Sequence, residues 1–164
     1  QIIGGPGPCA QQVASLIQEL ALEDSVALRP AVTQEELRQV YQRATLFVLP
    51  CQIAENDDRD GIPNVLVEAM ASGLPVVSTN ISGIPELIEH GADGLLTPQK
   101  DARALADAVA RLLDAPTLRR ELGGAARKKV CRSFDAESNI LALHRLFLDC
   151  LNGAGSVSDL NSDQ

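Results

Sequence analysis

Large aromatic side chains are almost missing from this sequence: 164 residues hold no tryptophan, one tyrosine (Tyr41) and three phenylalanines (Phe47, Phe134, Phe147). A core without rings must be assembled from Leu, Val, Ile and Ala, which favours layers of helix on strand. Long apolar runs are missing as well. Stretches such as Leu46 to Pro50 and Leu74 to Val77 have strand length, far short of the roughly 20 residues that span a bilayer, and no signal peptide is legible. A soluble piece without membrane contact is expected. The four cysteines (Cys9, Cys51, Cys131, Cys150) occur singly, without the paired spacing of a zinc site or a redox motif. That pattern fits a reducing, cytoplasmic compartment. Excess positive charge is also absent: the formal net charge is -8, which excludes a general attraction to nucleic acid or anionic lipid. The richest basic group (Arg119, Arg120, Arg127, Lys128, Lys129, Arg132) has helical spacing and reads as a solvated helix face. An initiator Met is lacking, and Gln1-Ile2-Ile3-Gly4-Gly5 reads as a strand already under way. The chain is therefore expected to be an excised fragment.

What is present is ordinary globular composition, 45% hydrophobic and 22% charged. A chain of this length fits one compact domain, expected over residues 1–151, with a disordered Gly-, Ser-, Asn- and Asp-rich tail at 152–164. Strand-length apolar runs alternate with segments of helical period, the pattern of βαβ units and a mainly parallel sheet. Ile2-Ile3 ends a strand. Val13, Leu16, Ile17 and Leu20 then mark a helix closing near Ala21 to Glu23. A short strand at Val26-Ala27-Leu28 stops at Pro30, and Thr33 with Glu36 forms a capping box for a helix through Arg43. The next strand, Leu46 to Leu49, leads into a long polar loop, Cys51 to Arg59. A helix from Asn64 to Ser72 ends at Gly73, suited to a left-handed cap. A strand at Pro75 to Thr79, a short helix at Pro85 to Glu89 and a small strand at Gly91 to Thr97 follow. The pattern then becomes helical only, over Ala102 to Leu113, Thr117 to Val130 and Ala136 to Leu151, and these helices are expected on the sheet or across its edge. The fold class is α/β: a Rossmann-like parallel sheet flanked by helices, with additional C-terminal helices.

Parallel sheets bind ligands beyond the carboxyl ends of their strands, where loops run into helix N-termini. The loop after Phe47-Val48-Leu49-Pro50 is such a place. Gly61-Ile62-Pro63-Asn64-Val65 opens the following helix, with Pro63 suited to its first turn because it lacks an N–H. The N–H groups of Asn64 and Val65 then face outward with the helix dipole behind them, an arrangement suited to phosphate. Glu68 lies one turn further on the same face, while Leu66, Ala69 and Met70 take the core side. Its carboxylate could accept two hydroxyl hydrogen bonds, as a ribose diol requires. Asp60 precedes the helix by a few residues. A bland reading stands beside this one, since acidic residues near helix starts often only cap and mid-helix glutamates are often merely solvated. Glu68 departs from that pattern as the one carboxylate in an otherwise apolar helix.

The stretch Asp60-Gly-Ile-Pro-Asn-Val-Leu-Val-Glu68-Ala-Met-Ala-Ser-Gly73-Leu-Pro75, with Pro75-Val-Val-Ser-Thr, Gly83-Ile-Pro-Glu86-Leu-Ile and Gly94-Leu-Leu, resembles glycosyltransferase family 4. Ile2-Ile3-Gly4-Gly5-Pro6-Gly7-Pro8 and Tyr41 to Pro50 resemble the family's strands and turns too, so the likeness covers about residues 1 to 150. The resemblance implies the C-terminal half of a GT-B-type fold, the domain that binds the sugar nucleotide. It implies retaining transfer from a nucleoside diphosphate sugar, such as a UDP-sugar, to an acceptor hydroxyl, in polysaccharide biosynthesis. No metal is expected. In the family's pair of glutamates the second holds the ribose and the first contacts the donor sugar, roles that fall on Glu68 and Asp60. Asp60 is one methylene shorter than the usual Glu. The amides of Ile62 to Val65 would hold the diphosphate and sugar, with Gly61 leading into them, and Arg29 could lie against the base. Pro30 stands where the family often has Gly. Glu86 is expected to fix a turn and cap the short helix, and His90 and His144 to be structural.

The family's catalytic Arg and Lys would lie before Gln1, and its acceptor domain is the expected missing partner in the same chain, through which the enzyme could sit at the inner face of the membrane. This piece alone is therefore expected to be inactive. Two other readings remain: a sugar-nucleotide epimerase-like domain, and a degenerate module that binds a partner protein.

Overall fold

A computed structural model describes residues 1–54, 57, 59 and 61–151. The chain divides into two compact units, Gln1–Ala44 and Thr45–Gln164.

In the first unit, strands β1 (Ile2–Ile3) and β2 (Leu28–Arg29) pair in parallel, Ile2 opposite Leu28. Between them runs helix α1 (Pro8–Glu19), and after them α2 (Gln34–Arg43). The capping box is formed: Thr33 Oγ1 accepts the Glu36 N–H at 3.3 Å, and Glu36 Oε2 accepts the Thr33 N–H at 2.8 Å. The Thr33 hydrogen bonds hold the Glu36 carboxyl below its ordinary value. Helix α1 stops earlier than its apolar spacing suggests, because Ala21 turns into the left-handed region at φ 51°. Leu16 and Leu20 keep the expected helical spacing yet are exposed.

The second unit is built on a three-stranded parallel ladder, β3 (Phe47–Leu49), β4 (Val76–Thr79) and β5 (Leu95–Thr97), in that order. Phe47 faces Val76 and Thr79 faces Thr97, so all three strands end at one edge. Strand β4, central and apolar in Val76-Val77, is buried along its whole length. Helix α3 (Asn64–Ala71) crosses from β3 to β4, and short α4 (Ile84–Leu87) crosses from β4 to β5. Helices α5 (Ala102–Asp114) and α6 (Pro116–Ser133) complete the cover. Val77, Leu95, Leu112 and Leu122 form the core cluster, joining two strands to both helices. Each buried Leu or Val contributes about 1.5–3 kcal/mol of transfer free energy.

Small features lock these layers. Asp101, at the N-cap of α5, accepts the Ala104 N–H at 2.9 Å. At the other end of α5, the Arg119 guanidinium donates to the carbonyls of Leu112 and Leu113, both at 2.6 Å. Lys129 Nζ pairs with Asp93 Oδ2 at 3.0 Å, and Asp93 Oδ1 accepts the Glu89 N–H at 2.7 Å. The basic group of α6 is therefore not one solvated face: Arg119 and Lys129 are half-buried and tie elements together, whereas Arg120, Arg127, Lys128 and Arg132 are exposed. His90 is structural, its Nδ1 accepting the Leu96 N–H at 2.9 Å.

Helix α7 (Ala136–Leu151) has the expected bounds but not the expected packing. None of its residues is buried, so it does not cover the ladder. Asp135 caps it, accepting the Ser138 N–H at 2.9 Å, and that bond lowers the Asp135 pKa. Residues 152–164, expected as a disordered tail, lie outside the described residues.

Candidate functional site

The carboxyl edge of β3, β4 and β5 is lined by hydroxyls. Ser78, Thr79 and Thr97 end otherwise apolar strands and are buried. A buried hydroxyl needs a partner, since burial without one costs on the order of 1–3 kcal/mol. Each finds one on a neighbouring backbone. Ser78 Oγ donates to the Leu49 carbonyl at 2.7 Å, Thr79 Oγ1 to the Cys51 carbonyl at 2.7 Å, and Thr97 Oγ1 to the Ser78 carbonyl at 3.3 Å. Gln99 adds a fourth tie, its Oε1 accepting the Ile53 N–H at 3.1 Å. Ser78, Thr79 and Gln99 thus fasten the end of β3 and the chain that leaves it toward α3, while Thr97 ties β5 to β4. Sequence patterning did not single them out; the only signal was the polar residue closing each apolar strand.

The far end of that loop enters α3. Gly61 is exposed, Ile62 half-buried and Pro63 buried. Pro63 sits at the N-cap itself, with φ -64° and ψ 126°, and not in the first helical turn as its missing N–H had suggested. Its carbonyl accepts the Leu66 N–H at 3.0 Å, and it has no side-chain acceptor for the first-turn amides. Asn64 at the first helical position is exposed, so its N–H lies at the positive end of the helix dipole. Val65 follows, half-buried.

The rest of α3 fixes this terminus. Leu66, Ala69 and Met70 are completely buried, as their spacing implied. The helix ends in a paired backbone motif, with the Gly73 N–H on the Met70 carbonyl at 2.9 Å and the Leu74 N–H on the Ala69 carbonyl at 3.1 Å. Gly73 adopts φ 78°, the left-handed cap expected of it. Helix α6 comes so close that a Cβ on Gly123 would collide with the Gly73 carbonyl. Glu68, one turn after Asn64, is half-buried on the helix face opposite to this packing.

Gly61, Ile62, Pro63, Asn64, Val65 and Glu68 are thus brought together at one helix start beside the strand edge. Asp60 lies outside the described residues. Arg29 belongs to the other unit, at the end of β2, where its guanidinium meets Gln1 Oε1 at 3.4 Å. Glu86 does not cap α4: Gly83 holds the N-cap, no side chain caps that turn, and Glu86 is exposed. Among the described residues no cluster of His, Cys, Asp and Glu could hold a metal ion, and no helix is long and apolar enough to cross a membrane.

Comparison with known proteins matches this arrangement to a family. Residues 1–115 match the model of glycosyl transferases group 1. The amylovoran biosynthesis glycosyltransferase of Erwinia amylovora is 44% identical over 131 residues, 80% of this chain and 32% of that protein. Sucrose-phosphate synthase from Thermosynechococcus elongatus superposes with a TM-score of 0.79 at 29% identity, covering 92% of this chain and 38% of that one. HepE of Anabaena, solved in complex with UDP, gives a TM-score of 0.75 at 22% identity over 92% of this chain and 40% of its own. The chain thus spans about a third of the curated relative and about two fifths of each solved structure. The matches favour neither an epimerase-like domain nor a non-catalytic interaction module. With its α/β fold of parallel ladders and helices matching GT-B glycosyltransferase structures, this chain belongs to the group 1 glycosyl transferases.

Proposed function

We propose that residues 1–151 are the nucleotide-sugar-binding domain of a retaining glycosyltransferase, which moves a sugar from a nucleoside diphosphate donor to an acceptor hydroxyl. The observation that carries this reading is the start of α3: a helix of eight residues, buried on its inner face, whose Pro63 N-cap supplies no side-chain acceptor and whose Asn64 is exposed beside the strand edge. Oriented amides with a helix dipole behind them stabilise an anion without reorganising. In this reading the backbone from Gly61 to Val65 holds the diphosphate, and Glu68 accepts the ribose hydroxyls. Asp60 contacts the donor sugar.

The relatives support the reading: one is an amylovoran biosynthesis glycosyltransferase, and one solved neighbour is in complex with UDP. A UDP-sugar is the donor we favour, in polysaccharide synthesis. The chemical burden in such a transfer is charge on the leaving diphosphate, which the amides share with the cations that the resemblance places upstream, without a metal. A preceding acceptor domain completes the cleft. The isolated chain binds donor and transfers no sugar. Free Cys9, Cys131 and Cys150 suit work in a reducing cytoplasm, with the membrane's inner face reached through the preceding half.

Calorimetric titration of the full 164-residue chain with UDP, GDP and ADP tests this. One of the three should bind, and Glu68→Ala should weaken it at least tenfold, since hydrogen bonds to a charged acceptor contribute about 1.5–3 kcal/mol. A parent chain that binds none of them contradicts the proposal.

A further inference from the structure

The last residue of β4 and the turn that follows it touch both ends of the loop leading to α3. At the outgoing limb, Thr79 Oγ1 donates to the Cys51 carbonyl at 2.7 Å. At the incoming limb, Gly83 lies so near Gly61 and Ile62 that a Cβ built on it would come within 2.9 Å of Ile62 Cγ1 and within 3.3 Å of the Gly61 carbonyl carbon and oxygen. The stretch between these contacts is tightly wound. The Ile81 N–H meets the Thr79 carbonyl at 3.0 Å, the Ile84 N–H meets the Ile81 carbonyl at 3.1 Å, and Ser82 stands in the left-handed region at φ 50°.

Gly83 is not required for its backbone freedom. Its φ of -80° and ψ of 0° are open to any L-residue. What it supplies is space. The atoms it would strike are not the flexible tip of a long side chain: one is the inner branch of Ile62 and two are Gly61 main chain. A Cβ there would be relieved chiefly by moving the loop backbone.

We propose that Gly83 is a positioning residue of the donor site: by having no side chain, it lets the β4–α4 turn sit against Gly61 and Ile62 and so sets where the amides entering α3 meet the diphosphate. The inference rests on the reading of the α3 start as the diphosphate-binding element. Gly83 touches no ligand in this arrangement. It acts through the loop, and hydrogen-bond donors aimed at an anion lose strength steeply when displaced or tilted.

The test uses the full chain, with UDP as probe and three variants: Gly83→Ala, Ile62→Ala and the two together. Each is read by UDP affinity, by melting temperature and by the backbone amide chemical shifts of Gly61, Ile62 and Asn64 in the unliganded protein. Gly83→Ala should move those amide signals and weaken UDP binding about tenfold. In the presence of Ile62→Ala the same glycine change should cost less than threefold, because Cγ1 is gone. A change in stability alone would not produce that coupling. Ile62→Ala by itself only removes atoms, which safeguards the test should Gly83→Ala fold poorly, and it should weaken UDP two- to fivefold. The clamp is overturned if the parent binds UDP while Gly83→Ala leaves affinity and amides unchanged, or if its effect is the same with and without Ile62→Ala. A parent that binds none of UDP, GDP and ADP overturns the donor reading, and the role of Gly83 in it.

Discussion

Helices α3 and α7 have similar apolar content and opposite surroundings. In eight residues α3 buries Leu66, Ala69 and Met70 completely, and both of its ends are fixed, by Pro63 at the start and by Gly73 under α6 at the finish. In sixteen residues α7 buries nothing, and Ile140, Leu141, Phe147 and Leu151 are all more than half exposed. The helical pattern sets the element; tertiary company decides whether it can hold anything in place. A helix whose N-terminal amides must meet an anion to within a few tenths of an ångström needs the first kind of environment.

The contrast can be broken by mutation, and the largest effect belongs to the buried helix. Met70→Ala should cost about 2–5 kcal/mol, whereas Phe147→Ala should fall within about 0.5 kcal/mol of the parent. Denaturant unfolding of the two variants measures both; equal losses would mean that α7 is as firmly packed as α3. Next in size, Gly123→Ala drives a methyl into the Gly73 carbonyl and should cost about 1–3 kcal/mol. Its loss of thermal stability should come with weaker UDP binding, because α3 is displaced from its C-terminal end.

The smallest effect sharpens the comparison through helix starts that side chains do cap. Thr33 holds Glu36 below its ordinary pKa of 4.5 at α2, and Ser138 holds Asp135 below 3.8 at α7. A depressed folded-state pKa adds stability that is complete above the unfolded value and is lost as pH falls through the folded one. Circular dichroism should therefore show both helix starts loosening below about pH 4.5 and 3.8 respectively. Glu36→Gln should remove the α2 contribution to that acid dependence.

Much of the ladder was legible because its cues are local. The alternation of apolar runs and helical periods located four of the five strands among the described residues and overlapped the fifth, β2, which lies at Leu28–Arg29 and not at Val26 to Leu28; the Thr33 and Glu36 pair announced a capping box that is present, and Gly73 announced a left-handed cap that is present. Where local cues mislead, a tertiary reason is visible. Pro63 could serve inside the first turn or just before it, and the chain places it before. The apolar face of α7 implied burial that no neighbour among the described residues supplies. Arg119 and Lys129 looked like surface charge because their partners, the Leu112 and Leu113 carbonyls and Asp93, come from other elements. For the same reason Thr79, Gln99 and Gly83 drew no attention as supports of the loop: their partners are 28, 46 and about 20 residues away, contacts that no periodicity encodes.

The most direct test of the central claim is a map of backbone amide shifts on adding UDP to the full chain. The largest changes should fall at Asn64 and its neighbours from Gly61 to Val65, with Glu68 next and α7 silent. Saturable binding that moves other amides and leaves the start of α3 untouched would contradict it.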